Sequence, residues 1–315
     1  MKKILTLLLL ACSLQVTAQS VKPIEIVVPF GPGGLASMLA LVTAEILTDN
    51  NMPAIVVNRP GADGTIGANS VARSAPDGRT LFVGTSSVLA ANLVFGVPGM
   101  EYTENSFAPV IPMAKTGMAL ITKGDSPIKS MDMLRFYVKA NPEKFNVGVW
   151  NTNIGKLMQD WARREGLPPP QIIAYKGSNQ LLTDVAGGHV LFGFDTWNTV
   201  IPLFKDQKLQ VLGTLDNTVL AEIRKIQPKT QAVNLSRAYP DLEFGIWYGL
   251  FAPAGVNKTV VDTINATVNA GFRQPRYQQK LQNMDIVEYG GTAESLTATQ
   301  RRSIQILTRL RQEIK

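Results

Sequence analysis

The chain predicts a parallel α/β protein with helices on the faces of its sheet, and three observations carry that prediction. Short apolar runs of β type alternate with stretches of helical periodicity along most of the sequence. Glycine-rich turns stand where a run of the first kind feeds one of the second. The composition, 45% hydrophobic and 17% charged over 315 residues, is that of a folded chain with room for one large or two ordinary domains.

The first unit is Ile24-Glu25-Ile26-Val27-Val28, then Pro29-Phe30 and the turn Gly31-Pro32-Gly33-Gly34. A helix follows with Leu39, Val42, Ile46 and Leu47 on one side. A second strand, Ala54–Asn58, leads to Ala62-Asp63-Gly64 and a helix reaching about Ser74, with Asp63 placed as its N-cap. Thr80–Gly84 is a third strand, ending in Thr85-Ser86-Ser87. Two apolar runs follow, around Val110-Ile111 and Ala119–Ile121, and Ser130 can cap the helix that holds Leu134 and Val138. Phe145–Val149 reads as a strand, Trp150–Asn153 as a loop, and Ile154–Arg164 as a helix stopped by Gly166 and three prolines.

A second α/β set continues with the strand Ile172–Tyr175, the turn Lys176-Gly177-Ser178 and the helix Asn179–Ala186, closed by Gly187-Gly188. The strand Val190–Phe194, a helix holding Val200 and Phe204, and the strand Leu209–Leu212 complete it. From Phe244 an aromatic, apolar run reaches Pro253. An amphipathic helix over Val260–Phe272, a shorter helix and a closing helix after Thr292 finish the chain.

At the other end, Lys2 and Lys3, the apolar core Ile4–Leu10 and Val16-Thr17-Ala18 before Gln19 make a secretory signal. Residues 1–18 are therefore set aside as a signal peptide, and no later segment offers the roughly 20 apolar residues of a membrane helix. The only cysteine, Cys12, lies inside it, so a chain cut after Ala18 has no thiol for a disulfide, a nucleophile or a metal site. Leu9-Leu10-Ala11-Cys12 also resembles a lipoprotein cleavage box, the lesser alternative, which would leave Cys12 as a lipid-bearing N-terminus. Export is expected either way. Removing Lys2 and Lys3 takes the formal charge from +7 to +5, a mildly basic balance that favours anionic small molecules. No basic stripe interleaved with aromatics points to nucleic acid. Arg301, Arg302, Arg309 and Arg311 read as the solvated face of the closing helix.

Strand, glycine turn and helix N-terminus bring free backbone N–H groups and the helix dipole to one point, and glycine lets an anion approach them. The turn at Gly33-Gly34 is thus read as gripping a carboxylate, against the plainer alternative of a tight connection without a ligand. Ala62-Asp63-Gly64, Thr85-Ser86, Asn151-Thr152-Asn153 and Asp195 likewise fall just after an expected strand. Ligands of open α/β sheets sit at that edge. These loops supply neutral donors and helix N-termini rather than catalytic machinery.

Enzyme readings fare poorly. Neither Ser37 nor Ser86 lies in a Gly-x-Ser-x-Gly elbow, and the sole histidine, His189, reads as a solvent-facing turn residue. Without a second histidine or a cysteine, no metal site is expected. Gly31-Pro32-Gly33-Gly34 has neither the Lys-Ser/Thr of a phosphate loop nor dinucleotide spacing, and no cofactor is expected. Asp63 and Asp195 can form an acid/base pair in principle, but helix capping explains both more economically.

Val28–Gly34, Asn58–Gly67, Ala75–Gly78, Phe107–Val110, Tyr175–Ser178, Trp247–Leu250 with Ala252–Gly255, and Gly290–Thr292 occur in one order along the mature chain. In these the chain resembles the substrate-binding proteins of tripartite tricarboxylate transporters, the Bug family. The resemblance implies a non-enzymatic periplasmic binding protein of two domains, type II-like, with a ligand cleft between domains joined by two crossing strands. The crossings map near Val110–Lys115 and Trp247–Phe251, giving a discontinuous domain 1 (residues 19–112 plus 249–315) and a domain 2 (113–248). It further implies a small carboxylate as ligand, membrane transporter subunits as partners and a monomer as the working unit. The ligand-contacting loops of the family fall on Phe30, on Gly33, Gly34, Leu35 and Ser37, on Ala62, Asp63 and Gly64, on Thr85 and Ser86, on Asn151, Thr152 and Asn153, and on Asp195.

Three departures bear on the ligand. Leu35-Ala36-Ser37 stands where the family continues with glycine, a small residue and aspartate. Trp150 opens a loop that in the family tends towards serine, glycine and asparagine, and Trp197 stands where smaller residues are usual. Both indoles can stack on a planar carboxylate; packing at the cleft rim is the alternative. A sensor that presents its ligand to a membrane signalling partner would use the same cleft.

Overall fold

The computed structural model describes residues 22–215, 217–235, 246–286 and 289–313, so the signal peptide lies outside the described residues. Strand β1 (Ile24–Val28) has Ile26, Val27 and Val28 fully buried, as a strand covered on both faces requires. Helix α1 (Leu35–Asp49), β2 (Ala54–Asn58), α2 (Thr65–Ala72) and β3 (Thr80–Thr85) follow in alternation. Strands β2 and β3 flank β1 in parallel, so each connection between them needs a helical crossover.

From there the order changes. After Thr85 the chain makes a wide helical turn (Ser87–Ala91) and the short α3 (Asn92–Phe95). Three small polar residues ending a strand read as a loop, but Val88, Leu89, Ala90, Ala91 and Val94 are all buried, and tertiary packing makes the segment helical. The long β4 (Phe107–Thr116) then leads to β5 (Met118–Lys123) with only Gly117 between them.

A second layer set follows: α4 (Met131–Ala140), β6 (Asn146–Val149), α5 (Thr152–Arg164), β7 (Gln171–Ala174), α6 (Ser178–Gly187), β8 (Phe192–Thr196), α7 (Trp197–Lys205), β9 (Leu209–Thr214), α8 (Asn217–Ile226) and the short β10 (Val233–Asn234). Ser130 Oγ caps α4 by accepting from Met133 N, and Gly188 closes α6 at a left-handed φ of 80°. His189 is exposed in the turn beyond. Strand β11 (Ile246–Pro253) is buried throughout and precedes α9 (Lys258–Phe272), α10 (Pro275–Asn283) and α11 (Ala293–Glu313). On α11 Leu296 and Leu307 are buried while Arg301, Arg302 and Arg309 are exposed, the solvated basic face its periodicity predicts.

The strands form two sheets, ordered β2-β1-β3-β11-β4 and β10-β9-β5-β8-β6-β7. They are mixed rather than purely parallel. Strand β11 runs antiparallel to β3 and β4, and β5 antiparallel to β8 and β9. From β4 the chain enters the second sheet as extended strand across Gly117 alone, without the helical crossover that keeps neighbours parallel. Phe82 stacks on Phe107 at 5.3 Å, and Phe107 meets Phe251 edge-on at 6.4 Å, which ties β3, β4 and β11 into one core. The result is a mixed α/β molecule of two lobes whose facing edges carry the loops singled out in the sequence.

Candidate functional site

The glycine turn is held rigidly from behind. Asn58 Nδ2 donates to Phe30 O and to Ser37 Oγ, both at 2.8 Å, and Ser37 Oγ donates in turn to Gly31 O at 3.3 Å. Gly33 adopts φ = 90°, the left-handed region that a side chain would strain. Ser37, expected at the ligand, is thereby a brace for the turn. Helix α1 starts at Leu35 without an acidic residue in its first turn, so its leading amides and positive dipole end are uncompensated by any side chain of that turn.

The opposite lobe meets this turn backbone to backbone. Gly31 N donates to Lys176 O at 2.9 Å, and a Cβ on Gly177 would stand 3.3 Å from Gly31 Cα and N. Between the lobes lies a pocket. Phe30, Gly34, Leu35 and Ala36 form its first wall; Trp150, Ser178, Asp195 and Thr196 form the second, with Tyr248 of β11 beside them. The space open to the centre of a water molecule is about 20 Å³, room for roughly one water.

Asp195 is the chemical centre of the second wall. It is fully buried at the end of β8, and its Oδ1 accepts from Thr196 N (2.7 Å), Ser178 Oγ (3.1 Å) and Thr196 Oγ1 (3.4 Å). Asp195 Oδ2 and Trp150 Nε1 are buried without a hydrogen-bond partner. Burial pushes the Asp195 carboxyl up to about 6, against the lowering effect of the donors around it, Thr196 N first, then Ser178, Thr199 and the Trp150 indole. Burial, with the Asp195 charge second, raises the Tyr248 phenol well above its ordinary value. Trp150 meets Phe30 edge-on across the pocket at 5.0 Å.

A second inter-lobe cluster gathers Asp63, Asn92, Asn151 and Thr152. Asp63 does not cap its own helix, as the sequence suggested: Gly64 is the N-cap of α2, with no side-chain bond. Asp63 (φ 52°) and Gly64 (φ 85°) are both left-handed, which turns the carboxylate away from α2 and towards the other lobe. There Asp63 Oδ1 accepts from Thr152 N at 2.8 Å and Oδ2 from Thr152 Oγ1, so it caps α5 from across the cleft. Asn92 Nδ2 donates to Asp63 O (2.9 Å), and Asn151 Nδ2 to Asn92 Oδ1 (3.3 Å). Asp195 is likewise no helix cap, since Thr196 holds that position at the head of α7.

Of the sequence-derived candidates, Phe30, Gly34, Leu35, Trp150 and Asp195 line the pocket. Gly33 lies in its turn, and Ala62, Asp63, Gly64, Asn151 and Thr152 belong to the second cluster. Thr85, opposite Tyr248 in the sheet, pairs its hydroxyl with Ser87 at 2.8 Å, while the Ser86 hydroxyl is buried without a partner. Asn153 falls within α5, its side chain outside the described residues. Trp197 is not brought to the pocket. It faces the outer helices, donating from Nε1 to Glu222 at 2.5 Å and packing edge-on against Phe204 at 5.5 Å. Sequence reasoning missed Gly31, Gly177, Ser178, Thr196 and Tyr248 as lining residues. The rule that singled out the other loops, a small or polar connection after a strand, fits Lys176-Gly177-Ser178 equally well.

Comparison with known proteins agrees with this architecture. Residues 36–312 match the family model described as the tripartite tricarboxylate transporter family receptor. The chain is 27% identical to Protein BugT of Bordetella pertussis over 80% of its own length and 77% of that protein. A solved periplasmic transporter superimposes with a TM-score of 0.84 at 25% identity, covering 95% of this chain and 99% of that one. Rpa4515 of R. palustris, solved with adipate, gives a TM-score of 0.79 at 25% identity over 92% and 96% of the two chains. Matched over most of its length by the receptor model, and folded as two lobes about a cleft, the chain belongs to the TctC family of tripartite tricarboxylate transporter receptors.

Proposed function

We propose that this chain is an exported receptor that captures a small organic carboxylate between its lobes and delivers it to the membrane subunits of a tripartite transporter. The observation that carries the reading is the head of α1: a braced glycine turn and an uncompensated helix N-terminus form one wall of an inter-lobe pocket. Adipate in the R. palustris relative fits the same chemistry. The ligand's carboxylate meets the leading amides of α1 from Gly34 to Ala36, and closure of the lobes excludes water around it. Binding therefore works by differential affinity for the closed form, and the chain acts as a binding protein rather than an enzyme.

The two sheets support a division into domain 1 (residues 19–112 plus 249–315) and domain 2 (113–248), because β4 and β11 both belong to the first sheet and β4 leads directly into β5 of the second. The signal-like segment up to Ala18 and the family membership support a periplasmic location, with the mature chain working as a monomer; anchoring through Cys12 is the lesser alternative. A sensor role would use the same cleft, and recovery of a signalling protein rather than transporter subunits with the chain would select it.

A thermal-shift screen of residues 19–315 against mono-, di- and aromatic carboxylates with neutral controls tests the proposal. A ligand that binds only the native state stabilises by about 2.7 kcal/mol at a hundredfold excess over Kd, so carboxylates alone should raise Tm. Gly34→Val should abolish that shift with the fold intact, since Gly34 sits at an unstrained φ of −77° and added methyls would enter the pocket. A shift confined to neutral or cationic compounds refutes the carboxylate chemistry.

A further inference from the structure

We propose that the end of the second lobe away from the cleft docks a protein partner. The partner's segment is acidic and carries a large apolar anchor. The inference goes beyond the receptor reading, since no residue of this surface lines the inter-lobe pocket.

Two adjoining features make the surface. Beyond the ends of β5 and β9 lies an open groove of about 750 Å³, with Lys129, Lys205 and Lys229 exposed around it and no carboxylate among its lining residues. Among the described residues, Lys205 and Lys229 form no ion pair, and Lys129 reaches only Gly124 O, at 3.5 Å. The nearby acids are already matched: Asp125 pairs with Lys123 at 3.3 Å and Asp206 with Lys208 at 3.8 Å. Next to the groove is a hollow of about 380 Å³ formed by Pro127, Ile128, Met133, Phe136 and Tyr137, with Asp132, which pairs with Arg135 at 2.7 Å. Phe136 is 80% exposed, the most of any large apolar side chain among the described residues, and Met133, one turn before it, is 44% exposed.

The two features share a wall. Gly124 and Lys129 line the groove, and Pro127 and Ile128 line the hollow. Gln210 Nε2 donates to Ser126 O at 2.9 Å and to Lys123 O at 3.1 Å, and Gly124 N donates to Lys208 O at 2.9 Å. A wall fixed in this way loses little freedom on binding.

Scattered apolar residues need no explanation, but an exposed phenylalanine and methionine side by side match the composition of protein interfaces. The unmatched lysines attract an acidic segment and repel a second copy of this chain, which is itself net basic. A concave groove takes a chain segment, whereas a flat lipid surface leaves it unfilled. Position matters as well. Met118, at the start of β5, pairs with Thr196 at the pocket, while Lys123, at its end, pairs with Leu209 on the groove. The whole surface belongs to one lobe, so opening and closing leave it unchanged and the partner is held in either state.

Fluorescence anisotropy with two labelled peptides tests the assignment. One is a run of glutamates around a central phenylalanine; the other has serine in place of the phenylalanine. Low ionic strength leaves the exposed charges unscreened. The phenylalanine peptide should bind the mature chain more tightly, by about threefold or more. The combined variant Lys129→Glu, Lys205→Glu, Lys229→Glu should weaken both peptides by about tenfold or more. The combined variant Arg301→Glu, Arg302→Glu, Arg309→Glu changes the net charge equally and should cost far less. Phe136→Ser should erase the advantage of the phenylalanine peptide and leave the serine peptide unchanged. Every substituted side chain is exposed, so the fold is retained. Equal losses in the two triple variants overturn the inference, as does failure of both peptides to bind the native chain. Binding of phosphatidylglycerol vesicles but of neither peptide overturns it in favour of a membrane surface. No carboxylate ligand enters the experiment, so its outcome and that of the thermal screen are independent.

Discussion

Asp195 is a carboxylate with no exposed surface, held by backbone and hydroxyl donors on one oxygen only. Its pKa is 3.8 as an ordinary side chain and about 6 in the fold, chiefly through burial. The folded chain therefore holds this proton more tightly than the unfolded chain between those values. The resulting stabilisation is fully present below the lower value and is lost as pH rises through the upper one. A gap of about two units corresponds to at most about 3 kcal/mol. Asp195→Asn keeps an acceptor for Thr196 N and Ser178 but has no proton to exchange. Denaturant unfolding of both proteins from about pH 4 to about pH 7 should show the native chain losing stability relative to the variant by an amount approaching that figure. A constant difference across the range would show that Asp195 titrates normally.

Among the elements, α5 is unusual in having its first turn served from both lobes: Asn151 Oδ1, just before the helix, accepts from Ile154 N at 3.4 Å, and Asp63 of the other lobe accepts from Thr152 N at 2.8 Å. The first-turn amides of a helix need acceptors, and Asp63 supplies both carboxylate oxygens to Thr152 from a left-handed loop across the cleft. Capping and lobe contact are thus the same interaction. Asp63→Ala should cost about 0.5–2 kcal/mol, the usual range for a lost cap. Its signature in hydrogen exchange is faster exchange confined to the first turn of α5 and to the Asn92 and Asn151 region, with β1 and β3 unaffected. Uniform acceleration throughout the molecule would mean that Asp63 supports the fold at large rather than this contact. Helix α7 illustrates the converse. Its first residue, Trp197, looks from the sequence like a cleft aromatic, yet Glu222 and Phe204 hold it in the core of its own lobe.

At the scale of the molecule, two lobes meet through a small number of direct bonds around a pocket that admits roughly one water. Gly31 to Lys176 closes one side, Asp63 to Thr152 another, and Asn198 Nδ2 donates to Asp285 O at 3.1 Å at a third. A carboxylate of several carbons enters only when the lobes part, and then favours whichever arrangement surrounds it. Small-angle scattering of the ligand-free mature chain should give a radius of gyration larger than that of this structure, and saturating ligand should reduce it. Identical values with and without ligand would mean that the lobes do not move on binding.

The sequence by itself determined the alternation of strands and helices, the caps at Ser130 and Gly188, the exposed turn at His189 and the glycine turn before α1. Each of these is decided by residues close in the chain: apolar periodicity, a hydroxyl before a helix, or a glycine that accepts positive φ. Only the tertiary structure decided that β11 and β5 run antiparallel to their neighbours, that Ser87–Phe95 is helical, and that Asp63 caps a helix of the opposite lobe. The same holds for the separate fates of Trp150 and Trp197, two tryptophans in similar loops after strands. One lines the pocket and the other packs inward, because which side of a strand end faces the cleft depends on how the lobes are set against each other. That arrangement is built from contacts between residues far apart in the chain, and no local pattern records it.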